Sequence, residues 1–398
     1  MAKTCDFLII GAGVVGLSIA IELKKRHPSK SVLIIDKETT LAYHSSGRNS
    51  GVLHAGFYYT ADSLKARFTR LGNLYLRDYC KTLGLKLNNC GKLVVTKNET
   101  ELPGLDELFR RAQQNQVELH EISEADAKKI EPRVKTYQRA AWSPLTSTVD
   151  PIEVMAAMAQ EARKLSVSIE LGCEFVEVKD QKVTTNKDQI EAGFVINAAG
   201  LYADRIARKM GFSKEYRILP FKGIYLYCEG ESVPLRTHIY PVPNLKNPFL
   251  GVHHTLTVDG RSKIGPTAIP AFWREQYHAW SRFKLDEAVS ILRDEVQLFF
   301  KGGFDFRSLA MEELKKYNRK YLVAEASTMV EGVQLGHYQK WGKPGIRAQL
   351  LNVKTKKLEM DFILQKDSRS LHVLNAVSPA FTCSQPFAVH VCEQIFSN

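Results

Sequence analysis

The chain has 398 residues, 44% apolar and 25% charged, with 55 Lys+Arg against 43 Asp+Glu and a formal net charge of +12. Such a composition excludes a disordered, collagen-like or low-complexity protein. No apolar run approaches the roughly 20 residues that cross a bilayer. The seven cysteines (Cys5, Cys80, Cys90, Cys173, Cys228, Cys383, Cys392) are scattered and odd in number, with no CxxC pair. That pattern speaks for a reducing compartment and against a disulfide framework, a zinc site or an iron–sulfur site, so no metal is expected. Length predicts two to three domains, or one large domain with an insertion. The start of the chain shows no secretory or transit pattern. The positive excess fits nucleic acid, an anionic membrane surface or acidic small ligands.

The first element is a nucleotide cradle. A short apolar strand over 7–10 runs into a GxGxxG of Gly11, Gly13 and Gly16, followed by a helix pattern with Leu17, Ala20, Ile21 and Leu23 on one face. Gly11 serves the tight turn, Gly13 the close approach of a pyrophosphate, and Gly16 the packing of helix on strand. The helix N-terminus offers N–H groups and a positive dipole end to phosphates. A second buried strand over 32–35 ends at Asp36, about 20 residues past the last glycine, where an acid can bond both ribose hydroxyls and disfavours a 2′-phosphate. There is one such cradle, and its place at the start of the chain leans towards FAD over a nicotinamide dinucleotide. Further along, a strand ends in Asn197-Ala198-Ala199-Gly200 before a helix carrying Asp204. This is either a close pass of backbone along a ligand or an ordinary strand-to-helix turn.

Residues 46–59 read SGRNSGVLHAGFYY, and with the cradle and the NAAG turn the chain resembles the D-amino-acid-oxidase-type FAD oxidoreductases. SLKA (63–66), NCGKLVV (89–95), IYPVP (239–243), FLGVH (249–253), GIRAQ (345–349) and NAVSPAFT (375–382) narrow the resemblance to the L-2-hydroxyglutarate dehydrogenase/oxidase family, in order and over nearly the whole chain. Two positions depart from that pattern: Lys222 stands where Arg is expected, and Thr267 where Asn is expected. Lys cannot make a bidentate fork to a carboxylate.

The resemblance implies an α/β protein with a Rossmann-like FAD-binding domain from 1–85, 146–215 and 336–398. A discontinuous α+β substrate domain, built on an antiparallel sheet, would come from 86–145 and 216–335. Helix signals cover 151–165, with Val154, Met155, Met158 and Ala162 on the apolar face; strand signals cover 91–96, 173–178 and 223–228. Bound FAD, held without a covalent bond, would touch Gly11, Gly13, Gly16, Asp36, Lys37, Ser46, Arg48, Asn49, Ser50, Gly51, Val176, Ala199, Gly200, Asp204, Pro379 and Ala380.

Oxidising a 2-hydroxy acid requires holding carboxylates and removing the hydroxyl proton while the flavin takes the hydride. A neutral His is the natural base near pH 7. His54 is a base, a flavin contact or a structural residue, and the resemblance adds the alternative of a covalent bond to FAD, which histidines in similar motifs of related flavoproteins carry. His253 faces either the substrate or the core, and His254 beside it points to the opposite face of the strand. Arg347 is the candidate carboxylate clamp, against the reading of a surface Arg near a turn. Lys222, Tyr240 and Tyr59 are the further candidates for binding the dicarboxylate.

With no second dinucleotide motif, the electron acceptor is a quinone or other membrane acceptor, or oxygen. The segments 271–283 and 311–322 interleave aromatics with Arg274, Arg282, Lys315, Lys316, Arg319 and Lys320. They read as a surface for anionic lipid on a cytoplasmic, peripherally bound protein, or as solvated helix faces. The rival functions are amine oxidation (glycine, sarcosine or D-amino acids), glycerol-3-phosphate oxidation and, from another class, RNA modification. No RNA-binding motif accompanies the charge, so no nucleic-acid partner is expected.

Overall fold

In the computed structural model the described residues are 3–230, 234–243, 250–302, 306–376 and 378–397. Phe249 of the FLGVH motif and Val377 of the NAVSPAFT motif lie outside them. The chain forms two compact units, one of residues 1–49, 151–220 and 347–398, the other of 50–150 and 221–346. Residues 50–85, expected among the FAD-binding segments, thus group with the second unit. The cause is local pairing: Val52–Leu53 and Leu87–Asn88 both pair antiparallel with Ser147–Val149, and the helix Leu64–Thr82 packs on these short strands.

The first unit is built on a sheet whose central strands are parallel. Lys3–Ile10 lies between Gln189–Asn197 and Val32–Asp36, and Ser168–Leu171 follows on the far side of Val32–Asp36. Ser370–Asn375 also pairs in parallel with the end of Gln189–Asn197. A strand flanked on both sides must be apolar on both faces, and Phe7–Ile10 and Val32–Ile35 are accordingly buried throughout. The helix Val14–Arg26 packs against Pro151–Lys164 and Ala380–Phe396. On Pro151–Lys164 the buried positions include Val154, Met155, Met158 and Ala162, the face read from the periodicity.

The second unit carries an eight-stranded sheet in the order Lys340–Trp341, Leu226–Tyr227, Ser262–Gly265, His253–Leu256, His238–Pro241, Lys92–Val95, Arg139–Ser143 and His120–Ser123. Its pairs are antiparallel except one: Lys92–Val95 runs parallel to His238–Pro241, with Lys92 opposite His238 and Val94 opposite Tyr240. These two strands lie far apart in sequence, so no hairpin constrains their direction. Val94, Tyr240, Phe57 and Tyr58 share one core with Leu105 and Leu108 of the helix Leu102–Gln114. Leu93, Val95 and Ile239, one residue out of phase, join another. Burial on both faces explains why Lys92–Val95 is sealed along its whole length.

Candidate active site

In the first unit the cradle is shaped first by backbone contacts at its glycines. Gly11 donates its N–H to the Ile35 carbonyl at 2.8 Å, and the Ala198 N–H bonds the Ile10 carbonyl at 2.9 Å, so the NAAG turn lies against the glycine turn. A Cβ on Gly11 would stand 2.5 Å from the Ala198 oxygen, at a φ of +112°, and one on Gly16 would stand 2.0 Å from the Gly11 oxygen. Neither position admits a side chain. Among the described residues a Cβ on Gly13 would meet only Ser46 Oγ, at 3.2 Å, so its lack of a side chain leaves the helix N-terminus open to an incoming group. Asp36 reaches back to this turn: its Oδ2 accepts the Ala12 N–H at 2.7 Å and its Oδ1 accepts the Glu38 N–H at 2.9 Å. Ser46 Oγ accepts the Val14 N–H at 3.0 Å, which ties the 42–49 loop to the start of the helix.

Within that loop Arg48 donates through Nε to the Tyr43 carbonyl at 2.6 Å, and Asn49 donates to the Ser45 and Ser46 carbonyls at 3.1 and 2.9 Å. Lys37 pairs with Glu38 and lies 5.2 Å from the centre of the Tyr202 ring. Gly200 follows Ala199 with open space at its Cβ position. Pro379 and Ala380 open the helix Ala380–Phe396. Asp204 behaves otherwise. Its fully buried carboxylate pairs with Arg208 at 2.5 Å and accepts the Ile218 N–H at 3.2 Å, a task inside the unit. Val176 sits at an irregularity of its strand with its side chain exposed and its carbonyl taken by Lys209. Arg347 is half-buried on the strand Gly345–Asn352.

The second unit gathers the titratable candidates on neighbouring strands. His253 stacks on Tyr240 with ring centres 3.6 Å apart. Its Nδ1 lies 2.7 Å from the Gly251 carbonyl, an acceptor only, so Nδ1 carries the hydrogen and Nε2 of the neutral ring is the lone-pair nitrogen. Burial, more than any neighbouring charge, holds the His253 pKa well below the ordinary histidine value. His254 points the other way, with its Nε2 at 3.0 Å from the Ala326 carbonyl. His54 is half-buried with its Nδ1 enclosed, and burial followed by the nearby charge of Lys92 lowers its pKa. Tyr240 is sealed, and burial raises its phenol pKa. Tyr59 belongs to a turn clamped from the helix Leu102–Gln114, where Arg111 donates to the Tyr58 carbonyl at 2.6 Å and Asn115 to the Tyr59 carbonyl at 2.9 Å. Ser50 and Gly51 lead into the strand Val52–Leu53, and Gly51 accepts the Val149 N–H at 2.9 Å. Lys222 is buried opposite Ile269, and burial lowers its amine pKa. The two residues that depart from the family pattern are neighbours, since Thr267 donates through Oγ1 to the Lys222 carbonyl at 2.9 Å.

Three residues here escaped the sequence reading. Lys92 is fully buried in the cluster, with its amine near 7 through burial. Lys263 donates to the Ser50 carbonyl at 3.1 Å and lies 4.6 Å from the centre of the Tyr225 ring; burial brings its pKa to about 8. His238 bonds Thr148 Oγ1 at 2.9 Å through Nε2 and accepts the Leu256 N–H at Nδ1, a saturated structural imidazole. The available signal was a lysine inside an otherwise apolar strand, in KLVV and in SKIG.

The profile of the DAO family, described as FAD dependent oxidoreductase, matches residues 6–324. The chain belongs to this family of FAD-dependent oxidoreductases. It is an enzyme, and FAD is its cofactor. Within the family it groups with the L-2-hydroxyglutarate dehydrogenases. It is 36% identical to the mitochondrial L-2-hydroxyglutarate dehydrogenase of Nematostella vectensis, over 98% of this chain and 90% of that protein. It is 31% identical to L-2-hydroxyglutarate dehydrogenase of Escherichia coli K12, over 98% and 93%. Among solved structures, FAD-bound L-alpha-glycerophosphate oxidase of Mycoplasma pneumoniae superposes with a TM-score of 0.78 at 23% identity, covering 100% of this chain and 96% of that one. Glycine oxidase of Geobacillus kaustophilus gives 0.72 at 18%, covering 99% and 95%. At these identities the structures establish the fold alone. The cradle suits FAD: Gly13 leaves the helix end accessible, and Asp36 is anchored at the end of its strand where a ribose would meet it.

Proposed function

We propose that the enzyme oxidises L-2-hydroxyglutarate to 2-oxoglutarate. The observation that carries this reading is the near-full-length similarity to L-2-hydroxyglutarate dehydrogenases of animals and bacteria. Bound FAD supplies the hydride acceptor, its N5, for the hydrogen on C2. The chain's own task is to hold two carboxylates and take one proton. His253 is the better prepared acceptor, because Gly251 fixes the tautomer that leaves Nε2 with a lone pair. His54 is the second candidate. Arg347 is proposed as a carboxylate clamp, with Lys222, Tyr59 and Tyr240 as further substrate contacts. FAD is proposed to be held without a covalent bond, so acid precipitation should release the flavin into the supernatant. Anaerobic mixing with L-2-hydroxyglutarate should bleach the flavin, whereas glycine and glycerol-3-phosphate should not. Bleaching by an amine alone would overturn the reading.

Electrons are proposed to leave for a quinone or another membrane acceptor, with the protein held peripherally on the cytoplasmic face. Among the described residues no helix is long and apolar enough to cross a membrane. The helix Leu285–Lys301 supports docking instead. Leu285, Val289, Leu292, Val296 and Phe300 are all exposed, spaced three or four apart along one face, while Glu287, Asp294 and Glu295 are buried on the other. A helix that turns its apolar stripe outward fits an interface. Trp280, Phe272 and Phe283 are exposed just before it, and Met311, Leu314 and Tyr317 just after it. Lys284, Lys301, Arg307 and Lys315 supply positive charge for anionic headgroups. Co-sedimentation with phosphatidylglycerol vesicles at low salt should capture the protein, and its absence there would refute peripheral binding.

A further inference from the structure

The buried amine of Lys92 has a specific place. Its strand lies beside His238–Pro241, with Lys92 directly opposite His238. Its Nζ stands 4.2, 5.0 and 5.5 Å from the ring centres of Tyr240, Tyr58 and Phe57, and it has no hydrogen-bond partner among the described residues. The ring it approaches most closely, Tyr240, is the one on which His253 stacks. The titratable groups around it are His54 and Tyr58 before the helix Leu64–Thr82, Cys90 at the start of its own strand, His238 and Tyr240 on the adjoining strand, His253 on the next and Lys263 beyond. None of these is a carboxylate, so nothing in this set neutralises an ammonium at Nζ. A cage of ring faces is what remains to hold it.

We propose that Lys92 is a positioning residue that keeps the imidazoles of His54 and His253 neutral, and so able to accept a proton. This rests on the proton-acceptor reading of those two histidines. An ammonium beside an imidazole disfavours a second positive charge. The amine titrates near 7, so below neutral pH it carries its charge in the range where an ordinary histidine would protonate. Nζ and the His253 ring share the Tyr240 ring as neighbour, at 4.2 and 3.6 Å from its centre, and the charge on Lys92 lowers the pKa of His54 and His253. Burial remains the larger cause at each of them, so the lysine adds to a shift already present.

Holoenzyme labelled with carbon-13 in its histidine rings gives a readout independent of turnover. Imidazole titrations of wild type, Lys92→Met and Lys92→Arg are compared, with signals assigned through His54→Gln and His253→Gln. In Lys92→Met the His54 and His253 titrations should move up by about half a pH unit or more, and Lys92→Arg should restore them. The acid limb of kcat/KM for L-2-hydroxyglutarate should move with them. Unchanged imidazole titrations in Lys92→Met would overturn the proposal, and Lys92→Gln gives the same comparison should the Met variant fail to fold. Imidazoles that move while the acid limb of kcat/KM stays fixed would uphold the action of Lys92 on the histidines. That result would refute instead their role as proton acceptors.

Discussion

At Lys92 four methylenes pack well while the amine they carry loses its water, and the two effects separate with pH. The folded-state pKa of about 7 lies below the ordinary 10.5. For a depressed pKa the native state is favoured above the unfolded value, and that stability is lost as pH falls through the folded value. At neutral pH the lysine therefore costs on the order of several kcal/mol relative to an apolar residue of the same length, partly offset by the ring faces. Lys92→Met should raise the thermal midpoint at pH 7, with a gain that shrinks towards pH 10. Equal midpoints at pH 7 would show that the amine keeps its solvation. Gly16 is a residue of the opposite kind, needed for what it lacks. A methyl group there would stand 2.0 Å from the Gly11 oxygen, so Gly16→Ala must push the helix off the turn. Overpacking of this sort costs roughly 1–3 kcal/mol. Because the same turn is where the pyrophosphate is proposed to bind, the purified variant should carry visibly less flavin per chain, read as the ratio of flavin to protein absorbance.

Among the elements, those whose logic is local were legible in the sequence. The glycine turn, its two strands and the helix Pro151–Lys164 follow from spacing and periodicity within a few tens of residues. The surroundings of Lys92 do not, because its neighbour His238 is 146 positions away and reaches it only through sheet pairing. Asp204 shows the same limit: an acid after a nucleotide-binding turn reads as a cofactor contact, and its ties to Arg208 and to the Ile218 N–H are made by the fold and do not show in the sequence. The helix Leu285–Lys301 was half legible. The basic and aromatic runs on either side of it stand out in the sequence, but an apolar stripe ordinarily predicts the buried face of a helix. Here the buried face carries Glu287, Asp294 and Glu295 beside Ile291 and Leu298, while a second apolar stripe faces outward. Exposed Val289 and Phe300 can therefore be changed without opening a core. Val289→Asp together with Phe300→Asp should abolish sedimentation with anionic vesicles and leave turnover with a soluble dye acceptor within about twofold. Loss of both together would mean that the stripe serves the fold.

Over the whole molecule, buried titratable groups set how the fold responds to acid. His238, His253 and His372 are each at most 3% exposed, and burial lowers the pKa of all three and of the half-buried His54, that of His372 to about 4 and that of His54 to about 3. Their folded values lie below the unfolded 6.5, so the stability they contribute is complete above pH 6.5 and is lost as pH falls towards the folded values. One buried carboxyl acts against them. Burial and the charge of Asp294 raise Glu295 to about 8, so its contribution is present below pH 4.5 and is lost as pH rises through 8. Between pH 6.5 and 4.5 the unfolded chain thus binds four imidazole protons that the native chain does not, while the native chain keeps one carboxyl proton. The net of three protons corresponds to about 4.1 kcal/mol per pH unit at its steepest. Urea unfolding midpoints of the holoenzyme should therefore fall sharply over this window, before the ordinary carboxylates titrate. His372→Gln keeps a ring-sized polar group beside Asn197 and Ser370, with which His372 is bonded. It should flatten the slope by about one proton's worth, about 1.4 kcal/mol per pH unit. A midpoint constant from pH 6.5 to 4.5 would mean that these imidazoles protonate in place, and the neutral base assigned to His253 would fall with them.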